Sequence, residues 1–159
     1  MAKSSIRVLV VDDFEPFRRS ICSALQDKLE LRTIVEASDG QEAAIELAQA
    51  LQPDLILMDI GLPKLDGIEA ARRISELAPK SKILFVSQES SADIVQAAFS
   101  AGASGYVVKM DAGGELPVYL VLTAVQISLL HLIQPSGCDV LRPRTGHEHK
   151  PWSRLRAAM

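Results

Sequence analysis

The sequence predicts a doubly wound α/β fold, in which a five-stranded parallel sheet in the order 2-1-3-4-5 carries helices on both faces. Two observations predict it. Short apolar runs without polar alternation recur along the chain, which is typical of strands covered on both faces of a sheet. Longer amphipathic segments lie between these runs, at spacings that leave only tight connections, so each helix forms a right-handed crossover between parallel strands.

Five apolar runs are the predicted strands. The second run is more mixed in polarity than the others, so we expect it at an edge of the sheet. The runs are Ile6–Val11, Leu31–Val35, Leu55–Met58, Ile83–Val86 and Tyr106–Val108.

Local signals predict where the first two helices begin and end. Pro16 lies in the first turn of a helix that runs to about Lys28. Ser38 and Gln41 have the spacing of a capping box, and the helix that follows them must end before Pro53.

Similar signals delimit the next two helices. Asp66, with Glu69 three residues later, begins a helix that ends at Pro79. Ser90 is expected to cap the fourth helix, and Gly102 is placed to end it.

The composition predicts a globular domain with a substantial core. The chain has 159 residues, of which 48% are hydrophobic, and a formal net charge of -3. This balance argues against a disordered chain and against one that holds nucleic acid mainly by its overall charge. The chain has two cysteines and no recognisable signal peptide, so a cytoplasmic location is expected.

Polar side chains follow the central strands. The first strand ends at Asp12 and Asp13, the third at Asp59, the fourth at Ser87 and the fifth at Lys109. Taken singly, each has a structural explanation as a helix cap, a turn residue or a solvated lysine. Together they lie at the carboxyl ends of the strands, where folds of this class bind ligands.

Converging carboxylates create an electrostatic requirement. Two of them about 4 Å apart repel by roughly 4 kcal/mol at an effective dielectric near 20, so three converging acids need a cation. An all-oxygen ligand set favours a hard ion such as Mg²⁺. Lys109 would then supply a second positive charge for an incoming phosphoryl group.

From about residue 6 to residue 133, the chain resembles the receiver domain of bacterial two-component response regulators. The resemblance implies a flavodoxin-like fold for this region. The matching motifs, in chain order, are Val10–Asp13, Leu57–Pro63, Asp66–Gly67, Ser87 and Gly102–Lys109.

The resemblance implies a role for each matched position. Asp59 would be the phosphoacceptor and, with Asp12 and Asp13, part of the Mg²⁺ site. Asp13 would be a direct ligand, Asp12 would hold metal-bound water, and Gly61 would offer its backbone carbonyl. Lys109 would pair with Asp59 or with its phosphate.

Two further positions would transmit the signal. Ser87 would bind a phosphoryl oxygen through its hydroxyl, and Tyr106 would be the switch aromatic, whose ring turns inward when that hydroxyl moves. New charge-assisted hydrogen bonds are worth about 1.5 to 3 kcal/mol each, so they can shift a two-state equilibrium strongly.

The resemblance predicts a phosphorylation-dependent signalling switch. Its phosphoryl donor would be a sensor histidine kinase or a phosphotransfer protein, and it would have no enzymatic activity beyond self-phosphotransfer and self-dephosphorylation. The alternative is a phosphatase or hydrolase of similar architecture with an aspartate nucleophile. Such an enzyme usually has a second acid two residues after the nucleophile, where Gly61 stands.

The last predicted helix and the segment after it depart from the family pattern. Leu116–Ile133 has no charged residue, so we expect a helix that is buried or covered by a partner, possible homodimer formation through it, and no membrane span. Residues 134–159 carry five basic and two acidic residues, a charge of +3, against -6 for residues 1–133. We therefore predict a receiver domain over 1–133 and a basic tail, containing Pro, Gly, Arg and His, without a recognisable output domain. No direct DNA binding is expected.

Overall fold

A computed structural model describes residues 6–28, 33–38, 42–109, 121–126, 139–143 and 152–156. The strands are β1 (Arg7–Val11), β2 (Thr33–Ala37), β3 (Leu55–Met58), β4 (Lys82–Ser87), β5 (Gly105–Val108), β6 (Asp139–Pro143) and β7 (Trp152–Arg156). The helices are α1 (Glu15–Lys28), α2 (Glu42–Leu51), α3 (Gly67–Leu77), α4 (Ala92–Ser100) and α5 (121–126).

The strands form one sheet in the order β2-β1-β3-β4-β5-β6-β7. The first five strands pair in parallel, which confirms the predicted order 2-1-3-4-5. Each crossover between them that the structure describes contains a helix. Parallel pairing carries the carboxyl ends of β1, β3, β4 and β5 to the same edge of the sheet.

The sheet continues beyond β5, into the region that the composition assigns to a tail. Strand β6 pairs in parallel with β5, and β7 pairs antiparallel with β6. An edge strand leaves a row of backbone N–H and C=O groups unpaired, and β6 supplies partners for those of β5. The segment has no polar alternation that would mark it as strand. The domain boundary at residue 133 stays a prediction.

Each face of the sheet has its own apolar core, because successive side chains of a strand point to opposite faces. Leu9 and Val11 belong to the core that packs under α2, α3 and α4. Val8 and Val10 belong to the opposite core, under α1 and α5. The prediction of helices on both faces is therefore confirmed.

Helix α5 is the described part of the predicted helix over residues 116–133. Its four apolar residues Val121, Leu122, Ala124 and Val125 are buried in the core shared with α1, while Gln126 is exposed. These four side chains are covered within the chain, as expected for a buried helix. The rest of residues 116–133 lies outside the described residues, so homodimer formation through this helix stays a prediction. Among the described helices, none combines the length and the hydropathy that crossing a membrane would need.

The predicted starts of α1, α3 and α4 are found within one residue. Helix α1 begins one residue before Pro16, and α3 begins after Asp66, whose Oδ1 accepts a hydrogen bond of 3.0 Å from the Glu69 N–H. The N-cap of α4 is Ser91, not Ser90. The proposed capping box at the start of α2 includes Gln41, which lies outside the described residues.

The N-caps of α3 and α4 allow a direct test of cap energetics, because only the first makes a side-chain hydrogen bond to its helix. Asp66→Ala removes the side-chain acceptor of α3 and is expected to lower the free energy of unfolding by about 1 kcal/mol. Ser91→Ala is the control, because Ser91 makes no side-chain cap hydrogen bond, and it should change stability by less than about 0.5 kcal/mol. Urea denaturation followed by circular dichroism measures both, and equal losses would contradict the assignment.

Candidate functional site

Three aspartates converge at the carboxyl ends of β1 and β3. One carboxylate oxygen from each of Asp12, Asp13 and Asp59 lies within 4.8 Å of the others. The register explains this, because Val11 of β1 lies opposite Met58 of β3 and the acids follow directly. The structure thus brings together all three acids that the sequence singles out.

The three carboxylates differ in their access to water. Asp12 is buried, Asp59 is partly buried, and Asp13 is exposed. Burial raises the pKa of the Asp12 carboxyl above its usual value, while its hydrogen bond with Lys109 acts in the opposite direction. The Asp12 Oδ1 also accepts a hydrogen bond of 2.9 Å from the Phe14 N–H, which fixes the loop after β1.

Lys109 joins two of these acids from the end of β5. Its Nζ lies 2.6 Å from Asp12 Oδ2 and 3.1 Å from Asp59 Oδ2. Its backbone N–H donates to the Ser87 carbonyl over 2.7 Å, which continues the pairing of β4 and β5 to the edge. The ammonium therefore reduces the repulsion between acids carried by two different strands.

Phe17 is a contributor that the sequence analysis missed. The Nζ of Lys109 lies 4.3 Å from the centroid of its ring, within the range of a cation–π contact. Phe17 belongs to the apolar face of α1, and its sequence position gives no sign that a cation lies over the ring. Only the direction of the two side chains in the fold brings them together.

The donor set fits a hard divalent cation. Three carboxylates and one ammonium carry a formal charge of -2 between them, and every candidate ligand atom is an oxygen. Mg²⁺ is usually bound by one or two carboxylates together with water and phosphate oxygens. The Gly61 N–H donates to Asp59 Oδ1 over 3.3 Å. Among the described residues, apart from the chain neighbours of Gly61, no heavy atom lies within 4 Å of where its side chain would begin.

Ser87 and Tyr106 lie on neighbouring strands and share Glu89 as a partner. The Ser87 Oγ accepts a hydrogen bond of 3.3 Å from the Glu89 N–H, and the Tyr106 hydroxyl donates to the Glu89 carbonyl over 2.8 Å. Tyr106 is fully buried, and its ring packs 6.1 Å from that of Phe85. The backbone of one residue thus connects the hydroxyl at the sheet edge with an inward-facing tyrosine.

Gly67 supports the site from the first turn of α3. Its N–H donates to the Ile60 carbonyl over 2.9 Å, and a Cβ on Gly67 would lie 2.1 Å from the Asp59 carbonyl oxygen. Only glycine lets the helix start approach the backbone after β3 this closely. The motif of Asp66 and Gly67 therefore combines a helix cap with a close backbone contact.

Gly67→Ala is expected to lower the free energy of unfolding by about 1 to 3 kcal/mol, because α3 or the Asp59 backbone must move. Gly61→Ala is the matched control, since its Cβ would lie more than 4 Å from every described residue except its chain neighbours, and we expect a change below about 1 kcal/mol. Urea denaturation measures stability, and the amide chemical shift of Asp59 reports the displacement. A Gly67→Ala protein with an unchanged Asp59 amide would contradict the close contact.

Comparison with known proteins finds similar chains among transcriptional regulatory proteins and in a protein-glutamate methylesterase. The transcriptional regulatory protein DegU of Brevibacillus brevis is 36% identical over 111 residues, which cover 69% of this chain and 47% of DegU. A protein-glutamate methylesterase/protein-glutamine glutaminase of Alkalilimnicola ehrlichii is 41% identical over 105 residues, which cover 65% of this chain and 27% of that protein. The matched region is thus about half of one relative and about a quarter of the other.

These relatives correct one prediction. The expectation of no direct DNA binding is wrong as a statement about this kind of protein, because similar chains are named as transcriptional regulatory proteins. The physical reason is that the similarity covers only part of each relative. A receiver sequence contains no pattern that specifies the output region joined to it, so its composition says nothing about DNA.

The family itself is shown by both sequence and structure. A family model described as the response regulator receiver domain matches residues 8–120. The crystal structure of the response regulator domain of Thermotoga maritima CheB has a TM-score of 0.71 and 31% identity, with 83% of this chain and 98% of that chain covered. The chain therefore belongs to the response regulator receiver domain family.

Proposed function

We propose that this protein is a phosphorylation-dependent signalling switch that accepts a phosphoryl group on Asp59 from a histidine kinase, with Mg²⁺. One observation carries the proposal: Lys109 binds Asp12 and Asp59 within a cluster of three carboxylates at the carboxyl edge of a parallel sheet. Membership of the receiver family and the similarity to response regulators support it.

The chemistry needs alignment and charge neutralisation more than covalent work by the protein. An Asp59 carboxylate oxygen forms a bond to phosphorus as the P–N bond of the donor phosphohistidine breaks, and the donor nitrogen keeps the electron pair. Bound by Asp12, Asp13, Asp59 and the Gly61 carbonyl, Mg²⁺ would neutralise the acids and orient phosphoryl oxygens. Lys109, already 3.1 Å from Asp59, supplies a positive charge at the acceptor.

The product is a signal because it changes hydrogen bonds at the edge of the sheet. Ser87 would bind a phosphoryl oxygen by donating its hydroxyl hydrogen, and a shift of Oγ towards that oxygen would move the Glu89 N–H from which Oγ now accepts. Glu89 also holds the Tyr106 hydroxyl through its carbonyl, so the loop after β4 and the aromatic ring respond together. Bonds from Ser87 and Lys109 contribute about 1.5 to 3 kcal/mol each, against about 5.5 kcal/mol for a shift from 1:99 to 99:1. Partner binding would complete the transition.

The proposal includes no catalytic activity beyond transfer to and from Asp59. The similarity in structure to CheB is to its response regulator domain, and Gly61 stands where a phosphatase with an aspartate nucleophile usually has its second acid. A cytoplasmic location belongs to the same proposal, because a chain with two cysteines and a histidine kinase as donor suits a reducing compartment.

Phosphorylation of Asp59 is tested by intact-mass spectrometry after incubation with a small phosphodonor and Mg²⁺. The wild-type chain should gain one phosphoryl group, whereas Asp59→Asn and wild-type protein in EDTA should gain almost none. Asp93→Asn is the matched control, because Asp93 is an exposed acid in the first turn of α4, and it should label like the wild type. Equal labelling of Asp59→Asn and the wild type would rule out Asp59 as acceptor.

The contact between Phe17 and Lys109 makes a second prediction about the same reaction. Phe17→Leu keeps an apolar side chain but removes the ring over the ammonium, so phosphorylation of Asp59 should slow about two- to tenfold. Phe17→Tyr retains the aromatic face and should stay near the wild-type rate. Phe14→Leu is the control, because Phe14 is 61% exposed. If Phe17→Leu and Phe17→Tyr reacted equally fast, the ring would have no role in placing Lys109.

A further inference from the structure

Arg18 of α1 connects three segments around the acidic cluster. Its Nη1 donates a hydrogen bond of 2.6 Å to the backbone carbonyl of Asp12. The Nε of Arg18 lies 3.4 Å from Oε1 of Glu36 on β2. The Arg18 side chain is only 14% exposed. The guanidinium therefore lies between the loop after β1 and the neighbouring edge strand.

The partner of Arg18 on β2 is a carboxylate that also contacts a thiol. Glu36 also accepts a hydrogen bond from the Cys22 thiol, with 3.5 Å between Sγ and Oε1. Burial raises the pKa of Cys22 to about 12, and the nearby Glu36 carboxylate acts in the same direction, so the thiol stays neutral at physiological pH. The ion pair with Glu36 thus holds the Nε side of the guanidinium towards β2, while Nη1 donates to the Asp12 carbonyl.

The hydrogen bond to Asp12 acts on Asp13 through the peptide between them. A peptide unit is planar, so fixing the carbonyl of Asp12 also fixes the N–H of Asp13 and the direction in which its Cα follows. The Asp12 N–H donates to the Ala37 carbonyl over 3.1 Å, which holds the other side of the residue. Asp13 itself is exposed, so its placement depends on the backbone that precedes it.

We propose that Arg18 is a positioning residue for the cation site: by holding the Asp12 carbonyl, it sets the direction in which the Asp13 carboxylate joins Asp12 and Asp59. This inference rests on the proposed function, since it concerns Mg²⁺ at that cluster. A guanidinium suits the role because its Nη1 donates to the Asp12 carbonyl while its charge lies beside Glu36 as an ion pair, without a hydrogen bond from Nε. Residues that orient metal ligands commonly change metal affinity about 10- to 100-fold when replaced.

The test measures the Mg²⁺ dissociation constant of the full chain by calorimetry, without a phosphodonor. Arg18→Ala should raise that constant about tenfold, and Arg18→Lys, which keeps the charge but not the two-sided contact, at least threefold. The amide chemical shift of Asp13 in the metal-free protein should change in both variants. At saturating Mg²⁺, the rate of Asp59 phosphorylation should return to within about twofold of the wild type.

Arg19→Ala is the matched control. Arg19 is the next residue of the same helix, and its ion pair with Glu15 is exposed, so its loss should leave the Mg²⁺ dissociation constant within twofold. Folded Arg18→Ala and Arg18→Lys proteins with wild-type affinity would overturn the inference, as would equal weakening by Arg19→Ala. Failure of the wild type itself to bind Mg²⁺ would instead refute the proposed function.

Discussion

The close approach of three carboxylates at one edge of the sheet is the constraint on which the rest of the structure depends. Parallel pairing of β1 with β3 brings Asp12, Asp13 and Asp59 together, and their mutual repulsion opposes folding unless cations offset it. Lys109 offsets part of it from β5. The same excess of negative charge that is costly to the fold is what the proposed Mg²⁺ would neutralise.

Two residues of α1 contact this arrangement at different points. Phe17 lies under the Lys109 ammonium, whereas Arg18 holds the backbone carbonyl of Asp12. Both are successive residues of one helix, so a displacement of α1 would disturb the cation and the acids together. The first helix therefore belongs to the functional site, although none of its side chains is a candidate ligand.

The sequence predicted the five parallel strands and the acidic cluster because both follow from local patterns combined with topology. Apolar runs locate the strands, and the strand order determines which polar residues meet at the edge. The contributions of Phe17 and Arg18 were not predictable, because they depend on side-chain directions within α1. Strands β6 and β7 were missed because their residues show no alternation, and pairing with an existing edge determines their structure.

The pairing of β6 with β5 has a consequence beyond the architecture of the sheet. If β5 were an edge strand, its unpaired backbone N–H and C=O groups could pair with a strand from another molecule, as in domain swapping and fibril growth. In this structure, residues 105–107 of β5 pair instead with β6 of the same chain. The segment that follows the five parallel strands therefore leaves β5 of this chain without a free backbone edge on that side.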